Sequence, residues 1–223
     1  MLQKSLDILK SKRYRVYTDP YRLNIVAYRS RFVRSNHFDD EIHVFYKNDN
    51  KKWVYHIYRA TTDPGQYWLD NPAHPRGTAF LKTGQYRDAY SIGLHRGVYQ
   101  GLIQRAPVTV IRNYERKGLF KWFESGIPDT GHFGINIHRA RSSGITKIID
   151  SHSAGCLVFA DARDNKEFLS LAHRHRERYG NRFTLTLVDF RDERRRRLRY
   201  AAWGSALAVS ALAVSALALL YKN

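Results

Sequence analysis

Apolar and polar positions along the chain change their period several times. Leu2 to Lys10 predicts a short helix. Three candidate strands follow, at Leu23 to Tyr28, Glu41 to Tyr46 and Lys52 to Tyr58. The turn-forming run Lys47-Asn48-Asp49-Asn50-Lys51 joins the last two as a hairpin. From Thr61 to Arg87 the chain is rich in Gly, Pro and Asp. It predicts long loops with one short strand at Ala79 to Lys82. Further short strands are expected at Tyr90 to Gly93, Val108 to Arg112, Phe133 to His138 and Cys156 to Ala160. Only Lys166 to Tyr179 shows the spacing of an internal helix. Phe168, Leu169, Leu171 and Ala172 form its apolar face, and Gly180 is its stop. Phe183 to Phe190 reads as a closing strand. The expected fold is mainly β (α+β), a β-sandwich with few helices over residues 1–190.

The end of the chain differs in kind. Ala201 to Tyr221 is 21 residues without a charge, enough at about 1.5 Å per residue to cross a hydrocarbon core of about 30 Å. It holds a pentapeptide repeat, at Ser205 to Val209, Ser210 to Val214 and Ser215 to Leu219, with Trp203 and Tyr221 near its ends. A basic juxtamembrane segment, 191–200, precedes it, with six Arg between Arg191 and Arg199. The pattern predicts a single-pass C-terminal anchor at 201–221. Its basic flank belongs on the cytoplasmic side, and its Ala and Ser faces suit self-association. A buried soluble helix is the alternative.

Composition narrows the picture. Over 223 residues, 43% are hydrophobic and 26% charged, which permits a packed domain. The 15 Tyr and 11 Phe favour strands. The net charge of +18 draws the protein towards polyanions: nucleic acid, anionic lipid or an acidic cell wall. No nucleic-acid-binding motif is present, so nucleic acid is not an expected partner. The N-terminus lacks the apolar run of a signal peptide.

The single cysteine, Cys156, excludes an intrachain disulfide. Its context is Ser153-Ala154-Gly155-Cys156-Leu157-Val158, and 18 positions earlier His138 ends Phe133-Gly134-Ile135-Asn136-Ile137-His138. A thiol reacts as its thiolate and needs a base. A histidine ending one strand supplies that base if the cysteine begins the adjacent strand. Gly155 permits close approach, and the Gly155 and Cys156 N–H groups are candidate oxyanion donors. A core cysteine with an inert thiol is the plain alternative. Zinc is another. Of His132, His138, Asp150, His152 and Cys156, only His152 and Cys156 have a paired-ligand spacing and no second pair answers them, so no metal and no cofactor is expected. His132 and His152 are candidates to flank the site, and His95, between Gly93 and Gly97, to line a substrate groove or simply a turn. The rings of Tyr67 and Trp68 suit stacking on sugars, or sealing of a small core.

These motifs resemble the L,D-transpeptidase family, which carries a histidine at a strand end, a spacer, and Ser/Thr-His-Gly-Cys. Ile137-His138 and Ser153-Ala154-Gly155-Cys156 match, over roughly residues 77–160, and the variant resembles phage and prophage forms. The chain departs from the family in having Arg139 where a glycine is usual and Ala154 where the second histidine stands. His152 lies one residue too far out to replace that histidine, and Leu157-Val158 stand where an arginine commonly follows.

The resemblance implies attack of Cys156 on a carbonyl of a peptidoglycan stem peptide, with His138 as base; Arg139, beside that histidine, is a candidate to orient it. The acyl-enzyme is resolved by an amine or by water, in a cross-linking or lysis-related role. It places the protein at the bacterial inner membrane, although murein lies on the side opposite to the one the basic flank predicts for the domain. The alternative is a non-catalytic, tail-anchored basic protein that binds anionic lipid or nucleic acid.

Overall fold

The computed structural model describes residues 1–30, 36–113, 115–117, 120–122 and 126–189. The basic segment at 191–200 and the expected membrane helix at 201–221 lie outside the described residues. Among the described residues no helix is long and apolar enough to cross a membrane.

The protein is mainly β. Eight strands form one closed ring. They are β1 (Asn24–Arg29), β2 (Asp40–Lys47), β3 (Trp53–Thr61), β5 (Gly84–His95), β6 (Tyr99–Gln104), β11 (Ile137–Arg139), β12 (Leu157–Phe159) and β13 (Phe183–Asp189). Their order is β1-β13-β5-β6-β11-β12-β3-β2, with β2 returning to β1. Two neighbouring pairs are parallel, β1 with β13 and β11 with β12, and the other pairs are antiparallel. A three-stranded sheet joins β4 (Phe80–Leu81), β7 (Val108–Arg112) and β10 (Ile127–Gly131) in the order β10-β7-β4. The short strands β8 (Glu115–Lys117) and β9 (Phe120–Trp122) make a hairpin.

A sandwich of two sheets was the expectation, and closure into a barrel replaces it. The reason is visible in β1 and β13, where every residue is buried. Ile25, Ala27, Leu185 and Leu187 face the barrel interior, with Ile42, Val44 and Phe159. The alternate residues Val26, Tyr28 and Val188 face outward and are covered by α1 (Leu2–Ser11) through Ile8 and Leu9. Strands buried on both faces cannot stay at a solvated edge, so they pair with each other and close the ring. Both Ile8 and Leu9 are fully packed, and truncating either to Ala costs about 2–5 kcal/mol by the usual cavity penalty.

Helix α3 (Ala162–Tyr179) packs Phe168, Leu171 and Ala172 into the interior cluster. It begins four residues before the expected start, because the Asp161 side chain accepts the Arg163 N–H and caps it. It ends as expected at Gly180, whose φ of 80° favours glycine. The Thr61-to-Arg87 stretch is less irregular than expected. It contains the short helix α2 (Gln66–Asp70) and the start of β5, which runs from Gly84 to His95 rather than over Tyr90 to Gly93. Strands β6, β8, β9 and β10 were not anticipated. The expected strand at Phe133 to His138 contracts to Ile137–Arg139.

Candidate active site

Parallel pairing of β11 with β12 builds the site. His138 lies opposite Val158 and Ile137 opposite Leu157, and the Leu157 N–H donates to the Asn136 carbonyl at 2.9 Å. Cys156 therefore sits opposite Asn136, immediately before β12. In a strand, residues two apart share a face. Ile135, Ile137, Leu157 and Phe159 face the barrel interior. Asn136, His138, Cys156 and Val158 occupy the outer face, where Phe38 and Ile149 pack over Cys156 and Val158. One strand spacing across and two residues along separate the His138 and Cys156 Cα atoms by roughly 8 Å, a gap that two side chains on one face can span.

The imidazole of His138 is 2% exposed and held from three sides. Its Nδ1 lies 2.8 Å from the Arg139 carbonyl oxygen. A carbonyl only accepts, so Nδ1 carries the proton and Nε2 of the neutral ring is the basic nitrogen. Tyr99 reinforces this arrangement. Its oxygen lies 3.0 Å from Nδ1 and its O–H donates to the Arg139 carbonyl at 3.2 Å. His95 stacks on the ring with centroids 3.9 Å apart. Burial pushes the His138 pKa down to about 3, helped by the neighbouring His95, Arg96 and His152 charges and opposed by the bond to the Arg139 carbonyl. The resting imidazole is neutral.

Cys156 is 7% exposed. Its Sγ accepts the Asn136 N–H at 3.4 Å and donates to the Gly134 carbonyl at 3.3 Å. Burial pushes its thiol up to about 11, against smaller lowering by the Asn136 N–H and Arg96. The resting pair is thus a neutral thiol and a neutral imidazole, with the S–H turned to Gly134 rather than to His138.

The turn before Cys156 is fixed by Ser153. This fully buried hydroxyl donates to the Cys156 carbonyl at 2.8 Å and accepts the Gly155 N–H at 3.2 Å. Gly155 has φ of 119°, and a Cβ there would lie 2.5 Å from the Ala79 carbonyl oxygen, so only glycine fits. Of the two expected oxyanion donors, the Gly155 N–H is therefore already engaged. The Cys156 N–H has no hydrogen-bond partner among the described residues.

The remaining sequence candidates separate. Arg139 meets the His138 ring through its backbone carbonyl, while its guanidinium lies 4.2 Å from the Tyr99 ring. His95 ends β5 buried beneath the site instead of lining an open groove, and its Nδ1 accepts from Asn136 Nδ2 at 3.1 Å. Half-buried His152, in the 3-10 turn Asp150–His152, lies within electrostatic range of His138. His132 is exposed, and no hydrogen bond or ring contact around His138 or Cys156 involves it. Two residues that the sequence reading passed over are central: Asn136, which links Cys156, His95 and β6, and Tyr99, which braces His138. The period of two places Asn136 beside His138 and was the available signal, whereas nothing in the sequence pairs Tyr99 with β11.

Among the described residues no three His, Cys, Asp or Glu side chains converge as a metal-binding group. Compared with protein-family models, curated proteins and solved structures, the chain has no significant match.

Proposed function

We propose that the protein is a cysteine acyltransferase or peptidase that acts on stem peptides of peptidoglycan, with Cys156 as nucleophile and His138 as base. The observation that carries the reading is the fixed tautomer of His138. Its Nδ1–H is committed to the Arg139 carbonyl, which reserves Nε2 as a proton acceptor on the strand beside Cys156.

The chemistry follows from the neutral resting pair. Rotation of the Cys156 side chain off the Gly134 carbonyl turns its S–H towards His138. As sulfur attacks the peptide carbonyl carbon, its proton moves to Nε2, so thiolate character develops only during attack. The carbonyl π electrons move to oxygen, where the Cys156 N–H is the available donor. Collapse breaks the C–N bond, and the imidazolium returns its proton to the leaving amine. A thioester remains. An incoming amine exchanges it for a new peptide bond, whereas water hydrolyses it. His95, Tyr99, Asn136 and Ser153 act as positioning residues. The resemblance to the L,D-transpeptidases supplies the substrate class, and the +18 charge suits an anionic wall. The uncharged run at 201–221 supports a membrane-held form of this activity, at the bacterial inner membrane.

The test incubates purified peptidoglycan fragments with the full chain and with Cys156→Ala, read by mass spectrometry. A released terminal residue, a cleaved bond or a new cross-link seen only with the parent chain is expected. Equal product with both proteins would refute the cysteine mechanism. Unchanged fragments in both, from folded protein, would refute the substrate assignment.

A further inference from the structure

A cavity of about 460 Å³ lies between α3 and the strands β6 and β11, a volume that suits a small organic molecule. Neither Cys156 nor His138 lines it, although Tyr99 and Arg139, which hold the His138 ring, do. Helix α3 contributes Ala162, Lys166, Leu169, Ser170 and His173. Their spacings of three and four put them on one face of the helix, so the cavity runs along that face.

The wall carries two permanent cations, Arg139 and Lys166, and among the described residues no Asp or Glu answers them. Neither side chain has an ion pair or a hydrogen bond among the described residues. The Arg139 guanidinium lies 4.2 Å from the ring centroid of Tyr99, itself a wall residue, so its charge stays beside the cavity. The acids nearest in sequence are engaged elsewhere. Asp161 meets Arg163 at 2.8 Å, and Glu167 meets His56 at 3.1 Å. Neutral donors add to the cations. Gln100 Oε1 accepts from His173 Nε2 at 3.0 Å, which leaves the Gln100 amide N–H groups uncommitted. The hydroxyls of Ser142 and Ser170 are wall groups as well.

Two cations in one concave wall without a counter-charge repel each other, and a bound anion relieves that repulsion. A phosphate monoester carries up to two negative charges and three acceptor oxygens, which matches two cations and several neutral donors. A carboxylate brings half the charge and fewer acceptors. Leu169, Ala162 and the Tyr99 ring make the rest of the wall apolar, which suits the carbon body of an ester and has no use for free phosphate. We propose that this cavity is a binding site for a small phosphate ester of sugar or polyol size. Its phosphate binds Arg139 and Lys166, and its carbon body packs on Leu169 and the Tyr99 ring. The site does not depend on Cys156 being a nucleophile.

The test uses the full chain at physiological ionic strength. The probes are glucose 6-phosphate, glycerol 3-phosphate, inorganic phosphate, and the neutral parents glucose and glycerol, followed by calorimetry and ³¹P NMR. At least one ester should bind about tenfold more tightly than its neutral parent, the size of one charge-assisted pair, and more tightly than inorganic phosphate. Ser170→Glu, at an exposed position, adds a carboxylate to the wall, and Lys166→Gln removes one cation. Each should weaken that ester by about threefold to tenfold, with folds checked by circular dichroism. The net charge of +18 attracts any anion, so Lys52→Gln, exposed and outside the cavity lining, is the control and should leave binding unchanged. Absence of ester binding, an ester that binds no better than its parent or than inorganic phosphate, or equal losses in Lys166→Gln and Lys52→Gln overturns the proposal. Phosphatidylglycerol vesicles separate two sources of the same chemistry. Displacement of the bound ester by vesicles assigns the site to a lipid headgroup, and an undisturbed complex assigns it to a soluble ester. Both results support the phosphate-ester site.

Discussion

Ser153 gives the sharpest test of how the nucleophile is held. The Ser153→Ala change removes one oxygen from a fully buried position and leaves no clash. Two hydrogen bonds go with it, from the hydroxyl to the Cys156 carbonyl at 2.8 Å and from the Gly155 N–H to the hydroxyl at 3.2 Å. Both remaining backbone groups belong to buried residues. An orphaned buried donor or acceptor costs about 1–3 kcal/mol, so the pair should cost about 2–6 kcal/mol. For a domain of this size each kcal/mol shifts the melting temperature by about 2–4 °C, which gives a fall of roughly 4–24 °C. Thermal and urea melts of the parent and variant measure it. Ser151→Ala is the control, since Ser151 is exposed two residues away and its change should stay within about 0.5 kcal/mol. The loosened turn should also make Cys156 react faster with iodoacetamide. A Ser153→Ala loss no larger than that of Ser151→Ala would refute the clasp, and with it the claim that Ser153 positions the nucleophile.

Three further outcomes follow from the same physics. With its thiol pushed up to about 11, Cys156 should be alkylated at pH 8 at least about a hundredfold more slowly in the folded protein than in urea; folded protein that reacts at the unfolded rate would contradict a neutral resting thiol. His175 accepts the Leu23 N–H at Nδ1 (3.0 Å) and donates from Nε2 to the Arg182 carbonyl (3.2 Å), and burial pushes its pKa down to about 4. Between the unfolded value near 6.5 and 4 the unfolded chain holds the extra proton, so this stability is present above 6.5 and is lost as pH falls, at up to about 1.4 kcal/mol per unit. Urea midpoints of the parent should therefore drop faster from pH 6.5 to 4 than those of His175→Gln, and parallel curves would refute the assignment. Finally, Tyr99→Phe should lower turnover by no more than about tenfold, because His138 keeps its Arg139 acceptor, while His138→Gln should cost a hundredfold or more; ¹⁵N shifts of His138 showing a switch of tautomer in Tyr99→Phe would overturn the role given to the carbonyl.

What was legible in the sequence is what depends on local pattern. Apolar and aromatic runs located β1, β2 and β3, and the apolar spacing of Phe168, Leu171 and Ala172 located α3. Closure of the barrel was not legible, because it depends on which strands pair at long range. Nothing near Ile25 announces that it will lie opposite Leu185. Strand β6 was missed because it reads Tyr-Gln-Gly-Leu-Ile-Gln, with a glycine inside, and Gly101 is there because a Cβ would lie 2.7 Å from the Ile137 carbonyl.

At the candidate site the same division explains why the motif showed a cysteine and a histidine but not how they are poised. The spacing of 18 residues allows His138 and Cys156 to meet through a parallel pair, and they do lie on one outer face. The tautomer and the burial come from elsewhere: the Arg139 carbonyl, Tyr99 at the start of β6, and His95 at the end of β5. These come from three places in the sequence, and only the β5–β6 hairpin, which pairs His95 with Tyr99, brings two of them to one end of β11. A residue-type motif can therefore name a candidate nucleophile and a candidate base. Whether they form an ion pair or a neutral couple is decided by the desolvation that the barrel imposes on both, and here that desolvation moves the thiol up and the imidazole down.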